Sequence, residues 1–312
     1  MDFNTFFNNT KVTPVQCVQD SILDRQGIAL YIKREDLIHP DVSGNKWRKL
    51  KYNFKQALDQ RYNIILTYGG AYSNHLFATA ALGKLLKIKT VGLIRGEKTD
   101  PLNPTLSFAK SCGMELIYMD RTSYRMKDQS LFFSELPDIY QNAYVIPEGG
   151  TNSLAILGCK ELAIEIGNKY NHIVIPCGTG GTIAGIVAGS KSEVLGISAL
   201  KGKNIFEPVI QDLLTDHTIE CNYSINYDYH FGGYAKVNSE LMEFIKEFKI
   251  KTSILLDPVY TGKMLYGVYD LIKKGAFKKG TEILAIHTGG IQGWDGIPES
   301  VKKAIFDNCF QL

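Results

Sequence analysis

The 312 residues are enough for about two domains with sizeable cores, and 45% apolar with 21% charged residues is the composition of a soluble globular chain. Lys and Arg total 35 against 32 acidic residues, and a net charge of +3 leaves no electrostatic footprint for nucleic acid. No run of about 18 apolar residues occurs, so no membrane span or membrane partner is expected; the start MDFNTFFNNTKVTP lacks the cationic and apolar parts of a signal peptide, which points to the cytoplasm.

In chain order, β-rich runs are expected at Ala29–Lys33, Asn63–Thr67, Thr90–Ile94, Glu115–Met119, Tyr144–Pro147, His172–Pro176, Val194–Ile197, Ser253–Leu256 and Glu282–Ile286. Several are continuous apolar runs, such as Ile64-Ile65-Leu66 and Ile173-Val174-Ile175, as strands buried on both faces of a parallel sheet require. Between them lie helical patterns. Asn74–Lys87 is one, opened by Ser73 or Asn74. Another places Ala155, Gly158, Cys159, Leu162, Ala163 and Ile166 on one face behind the N-cap candidates Asn152 and Ser153. The alternation predicts an α/β fold, and so many strands without a Pro/Gly/Ser linker predict two interleaved lobes, each a mostly parallel twisted sheet flanked by helices. Six scattered cysteines, at 17, 112, 159, 177, 221 and 309, show no C-x-x-C and read as free buried thiols rather than a metal site. Cys309, four from the end, formally fits a prenylation box, but Gln311 is not aliphatic and no basic run precedes it.

Glycine is the unusual residue, with 29 copies and clusters at 69–70, 149–150, 178–181, 232–233 and 289–290. In HIVIPCGTGGTIAGIVAG, residues 172–189, an apolar strand runs through Gly178-Thr179-Gly180-Gly181-Thr182 into a helix. That arrangement either cradles a phosphate or is a tight packing turn. The Walker pattern is absent, and a dinucleotide fingerprint fails because Ile183 stands at its third glycine. The next strand also lacks a ribose-binding acid, since Ser198 and Ala199 follow it. A small monophosphate such as pyridoxal phosphate fits better than a nucleotide. Its aldehyde needs a lysine that is partly neutral. Lys46, on the first turn after Ser43-Gly44-Asn45, sits where the positive helix end disfavours its charge; the alternative is an ordinary surface lysine.

KREDL…SGNKWRKL, TYGGAYSNH, PCGTGGT, LDPVYTGK and IHTGG, in that order over about residues 30 to 295, resemble the pyridoxal-phosphate enzymes of the tryptophan-synthase-β fold type. Within that type the chain resembles the branch of D-cysteine desulfhydrases and 1-aminocyclopropane-1-carboxylate (ACC) deaminases. The resemblance implies that Lys46 links to the cofactor, that Gly178, Thr179, Gly180, Gly181 and Thr182 hold its phosphate, and that Asn74 bonds the ring hydroxyl. Ser73, Asn74 and His75 would receive the substrate carboxylate at a helix start, with Tyr260 and Tyr234 lining the pocket. Bottom-up, Ser73 also reads as a plain N-cap, His75 as a first-turn histidine without chemistry, and Tyr260 as packing beside Pro258. The resemblance also implies a large lobe of residues 1–48 and 156–312, a small lobe of 49–155, a cofactor between them, and a homodimer.

ACC deaminases of the branch resemble one another in a Glu after DPVY and a Leu before the late Gly-Gly. Here Thr261 and Thr288 stand at those places, and on both counts the chain resembles D-cysteine desulfhydrases. A carboxylate beside the pyridine nitrogen strengthens the electron sink that ring opening needs, whereas thiolate leaves readily. Either Thr288 or Thr261 would face that nitrogen. The expectation is α,β-elimination from a small D-amino acid, D-cysteine first. The alternatives are ACC deamination and a non-catalytic cofactor-binding protein, the last disfavoured by the retained Lys46, Ser73 and Tyr260.

Overall fold

The computed structural model describes residues 2–8, 12–126 and 137–306. Ten strands among them form two sheets. In chain order they are β1 (Val15–Cys17), β2 (Ala29–Lys33), β3 (Ile64–Gly70), β4 (Lys89–Arg95), β5 (Glu115–Met119), β6 (Tyr144–Ile146), β7 (His172–Cys177), β8 (Glu193–Ser198), β9 (Tyr223–Asn226) and β10 (Glu282–Ile286). One sheet has the order β1-β2-β10-β7-β8-β9, the other β5-β4-β3-β6. All pairings are parallel except that of β1 with β2. The strand β10, late in the chain, fills the place between β2 and β7.

The continuous apolar runs have the expected cause. Val174 and Ile283 enter one core with Leu256, Met264 and Val268, while their neighbours Ile173, Ile175 and Leu284 enter another with Ile156, Leu162 and Ile183. Successive side chains of a strand point to opposite faces, and both faces are covered. Ile65 and Leu66 of β3 divide in the same way between two further cores.

The strand expected at Ser253–Leu256 does not form. The helix Ser239–Thr252 ends on Ser253 in a left-handed conformation, and an extended buried segment follows that joins neither sheet. Its polar backbone is satisfied by side chains instead. His287 Nε2 donates to the Leu255 carbonyl at 2.8 Å, Trp294 Nε1 donates to Leu256 at 2.9 Å, and the Asp257 N–H donates to Thr261 Oγ1 at 2.9 Å. Two strands arise where none was expected, the three-residue β1 and the edge strand β9, both too short or too mixed in polarity to stand out. Cys159 and Cys177 are buried and Cys112 and Cys221 half-buried, but Cys17 is exposed on edge strand β1, contrary to a buried thiol. Cys309 and its C-terminal box lie outside the described residues.

Two helices set the position of Lys46. The helix Asn45–Asp59 crosses the helix Ser153–Ile166, whose buried face is the one its periodicity predicts and whose cap is Asn152, accepting from the Ala155 N–H at 3.0 Å. Gly158 makes the crossing close, since a Cβ there would stand 2.0 Å from the Arg48 carbonyl oxygen. Arg48 is further held by Glu35, through Nε at 2.9 Å, and by Glu165, through Nη2 at 2.8 Å. The amine two residues before Arg48 therefore starts from a fixed helix.

Candidate active site

The C-terminal ends of β3, β4, β7 and β10 open onto one cavity of about 360 Å³. Such ends are where ligands of open parallel sheets bind. Lys46, Ser73, Asn74, His75, Gly178, Thr179, Gly180, Thr182, Tyr234, Tyr260 and Thr288 all line it, although they span most of the chain.

Lys46 is half-buried, with Nζ 3.3 Å from Asn45 Oδ1. Burial lowers its pKa to about 8, so a working fraction is neutral near physiological pH, as attack on an aldehyde requires. The sign is that of a depressed cationic group: the amine is charged below about pH 8 and free above it. Cofactor uptake by the apoprotein is therefore expected to accelerate through pH 8 and level off well before the pH 10 region of an ordinary lysine. Visible absorbance recorded after mixing checks this, and a rate still climbing at pH 10 would contradict it.

Asn45 carries the Lys46 turn across to the glycine loop by donating Nδ2 to Thr182 Oγ1 at 2.9 Å. The loop Gly178–Gly180 follows β7 and leads into the helix Gly181–Val187, with Gly180 at φ +80°. A Cβ on Gly178 would stand 2.7 Å from Tyr260 Cε1, so the glycine keeps this wall of the cavity open. Gly181 does not line the cavity. As the first helical residue it faces Thr151 and the Lys49 amine, 2.9 and 3.1 Å from its Cβ position.

Lys49 was not among the residues that its motif singled out. Lys49 is fully buried, and its Nζ donates to Thr151 Oγ1 at 2.8 Å and toward Thr179 Oγ1 at 3.4 Å. Burial first, and the charge of Lys46 second, push its pKa well down. The available signal was its spacing of three from Lys46, which puts both amines on one helix face.

Ser73 caps the helix Asn74–Leu86, its Oγ accepting from the Leu76 N–H at 3.3 Å. The remaining first-turn N–H groups have no intrahelical acceptor and suit a carboxylate. The His75 side chain turns away from solvent and is buried. Thr67 Oγ1 donates its one proton to the Ile146 carbonyl and therefore accepts from His75 Nε2 at 2.7 Å. Burial, then the two lysines, hold that imidazole neutral. Tyr260 packs edge-on against Tyr234 with centroids 6.1 Å apart. Burial, then Tyr234, keep the Tyr260 phenol protonated. Tyr234, 45% exposed, stands at the mouth.

Thr261 departs from its expected place. Asp257 accepts from the N–H groups of Val259, Tyr260 and Thr261 at 2.8–2.9 Å and also takes the Thr261 hydroxyl at 2.6 Å. The Thr261 side chain is committed to this buried turn and does not reach the cavity. Thr288 does reach it, and its carbonyl accepts from the Asn45 N–H at 3.2 Å.

An amine, a glycine loop beside threonine hydroxyls, a helix start and a phenol make a donor set that fits a small aldehyde bearing a phosphate. The family model of pyridoxal-phosphate dependent enzymes matches residues 8–289. The chain belongs to that family. Within it, the chain is 33% identical over 297 residues to a Pyrococcus horikoshii protein provisionally named an ACC deaminase, covering 90% of each. It is 34% identical over 294 residues to the mitochondrial bifunctional D-cysteine desulfhydrase/ACC deaminase of Arabidopsis thaliana, covering 86% of this chain and 73% of that one. A solved structure described as an ACC deaminase homologue superposes with a TM-score of 0.81 at 29% identity, covering 97% and 98% of the two chains. The fold and the cofactor of this pyridoxal-phosphate enzyme are thus those the motifs imply, and its branch is that of ACC deaminases and D-cysteine desulfhydrases. Among the described residues, no helix is long and apolar enough to cross a membrane.

Proposed function

We propose that this pyridoxal-phosphate enzyme eliminates the β-substituent of a small D-amino acid, with D-cysteine giving pyruvate, sulfide and ammonia. The observation that carries this reading is the pair of threonines. Thr288 lines the cavity and Thr261 is folded onto Asp257, so neither place offers a carboxylate to the pyridine nitrogen. Glu148, the acid among the lining residues, comes from the turn after β6 instead. Of the two threonines, Thr288 is the one we assign to that nitrogen. A hydroxyl leaves the ring a weaker sink than a carboxylate does, sufficient for thiolate departure.

In this reading Lys46 would form the covalent link to the cofactor, the loop Gly178–Thr182 with Lys49 beneath it would hold the phosphate, and Asn74 would meet the ring hydroxyl. The cofactor, when bound, supplies an electron sink for the bond broken at the α-carbon. Ser73 and the first N–H groups of its helix orient the substrate carboxylate. Lys46, with its amine neutral, would take the α-proton. The C–S electron pair would leave with the thiolate, and Tyr260, held protonated on the cavity wall, would give its proton to the departing sulfur. Water converts the unsaturated amino acid to pyruvate and ammonia. The division into lobes at residues 48/49 and 155/156 belongs to the same proposal, as does a homodimer.

The name of the Pyrococcus horikoshii relative favours a second reading, ACC deamination to 2-oxobutyrate, while the Arabidopsis thaliana relative is named for both activities. Keto-acid release from D-cysteine, L-cysteine and ACC, measured in parallel on the purified holoenzyme, separates the two. Pyruvate and sulfide from D-cysteine alone is the expected result. 2-Oxobutyrate from ACC with silence on D-cysteine would overturn the argument from Thr288.

A further inference from the structure

Arg95 is a cation that the chemistry above does not use. It ends β4, and its guanidinium lies at the cavity with Gly70, Ser73, Tyr234 and Glu148. Two contacts fix where it points. The guanidinium carbon sits over the Tyr124 ring, 5.7 Å from the centroid. Nη2 comes within 3.4 Å of where a Cβ on Gly70 would be, so it lies along the turn that leads into Ser73. The Ser73 N–H closes that turn on the Gly70 carbonyl at 3.0 Å. Arg95 therefore stands beside the substrate end of the cavity, on the four-stranded sheet. The glycine loop and Thr288 come from the six-stranded sheet.

The α-carboxylate already has the start of the Ser73 helix, and the phosphate has its loop. A guanidinium next to both donors and belonging to neither is placed for a second anion on the substrate. Glu148 shares this rim, beside the buried Tyr124 phenol whose proton burial and then Glu148 hold in place. The two rim charges offset each other at a distance. The preference must therefore be short-ranged, for a group that touches the guanidinium and takes two parallel hydrogen bonds.

Resting on the reading of a D-amino-acid site, we propose that Arg95 is the specificity-determining residue for the β-substituent and favours D-amino acids carrying a second anionic group beyond the β-carbon. The class includes carboxylates, sulfonates and sulfate esters, whereas D-cysteine and ACC represent its neutral, small limit.

The test uses binding to the holoenzyme, followed by the change in visible cofactor absorbance, with ligands that carry no β leaving group. D-Aspartate is compared with its neutral isostere D-asparagine, and D-glutamate with D-glutamine for a longer reach. At least one acid is expected to bind about tenfold or more tightly than its amide, the size of one charge-assisted pair. In Arg95→Met that ratio should fall to near one with amide binding unchanged, and Arg95→Lys should keep part of it. A ratio near one for both pairs in the wild type, or a ratio that survives in Arg95→Met, overturns the proposal. So does equal weakening of acid and amide, which would make Arg95 a reader of the α-carboxylate. Failure of the elimination reading is distinguishable, because it shows as absent pyruvate while the acid-to-amide ratio still decides Arg95.

Discussion

Replacing Lys46 with alanine lowers turnover by at least about 10⁴-fold and removes the yellow absorbance of the lysine-linked cofactor. That factor corresponds to a barrier higher by about 5 kcal/mol. Two lysines, Lys46 half-buried and Lys49 buried, stand three residues apart, so the identity of the attachment point needs a structural argument. Lys46 opens onto the cavity, and its amine donates to Asn45 Oδ1 at 3.3 Å. Lys49 is turned behind the glycine loop, where Thr151 and Thr179 occupy it. Lys49→Ala should accordingly retain the lysine-linked spectrum and bind the cofactor less tightly. The spectra of the two variants, recorded side by side with turnover, check both statements. A Lys46→Ala protein with an unchanged visible spectrum would refute the assignment, and so would a Lys49→Ala protein that alone loses it.

Gly44→Ala is expected to abolish cofactor retention and destabilise the fold by about 3–5 kcal/mol, combining backbone strain with overlap. Gly44 has φ +61° and ψ −140°, a conformation that residues with a Cβ avoid. A Cβ there would also lie 1.9 Å from the Thr288 carbonyl oxygen. That oxygen cannot retreat without breaking its bond from the Asn45 N–H, the contact that ties the end of β10 to the Lys46 turn. The strain therefore falls on Lys46 and Thr288 together. Urea denaturation of the apoprotein measures the loss of stability, and absorbance after gel filtration measures cofactor retention. A variant that keeps both would show that the turn can relax in a way the close approach forbids.

Much of the fold was legible because its strands are buried on both faces. Ile64-Ile65-Leu66 and Ile173-Val174-Ile175 announce themselves as continuous apolar runs, and the helix after Asn152 does so by its period. Ser253–Leu256 has the same apolar signature, yet side chains as distant as His287 and Trp294 take up its carbonyls. No local pattern distinguishes that outcome from a sheet ladder. The site was legible where a motif carries both loop and side chain, as at Lys46, Ser73 and Gly178–Gly180. It was not legible where direction decides. Thr261 and Thr288 are the same residue type beside equally distinctive neighbours, and only the cap at Asp257 turns one away from the cavity. Arg95 gave no signal at all, since an arginine at a strand end is ordinary until the cavity beyond that strand is seen.

The place of β10 between β2 and β7 has a consequence for biosynthesis. The four-stranded sheet draws only on residues 64–146 and can pair early, whereas the six-stranded sheet lacks its middle until residue 286 has been made. Thr288, which locks the Lys46 turn, emerges later still. The nascent chain thus carries the β10-facing edge of β2 unpaired through most of its synthesis, and that of β7 through the last third, so a ribosome-bound fragment ending before β10 should engage chaperones and fail to capture the cofactor.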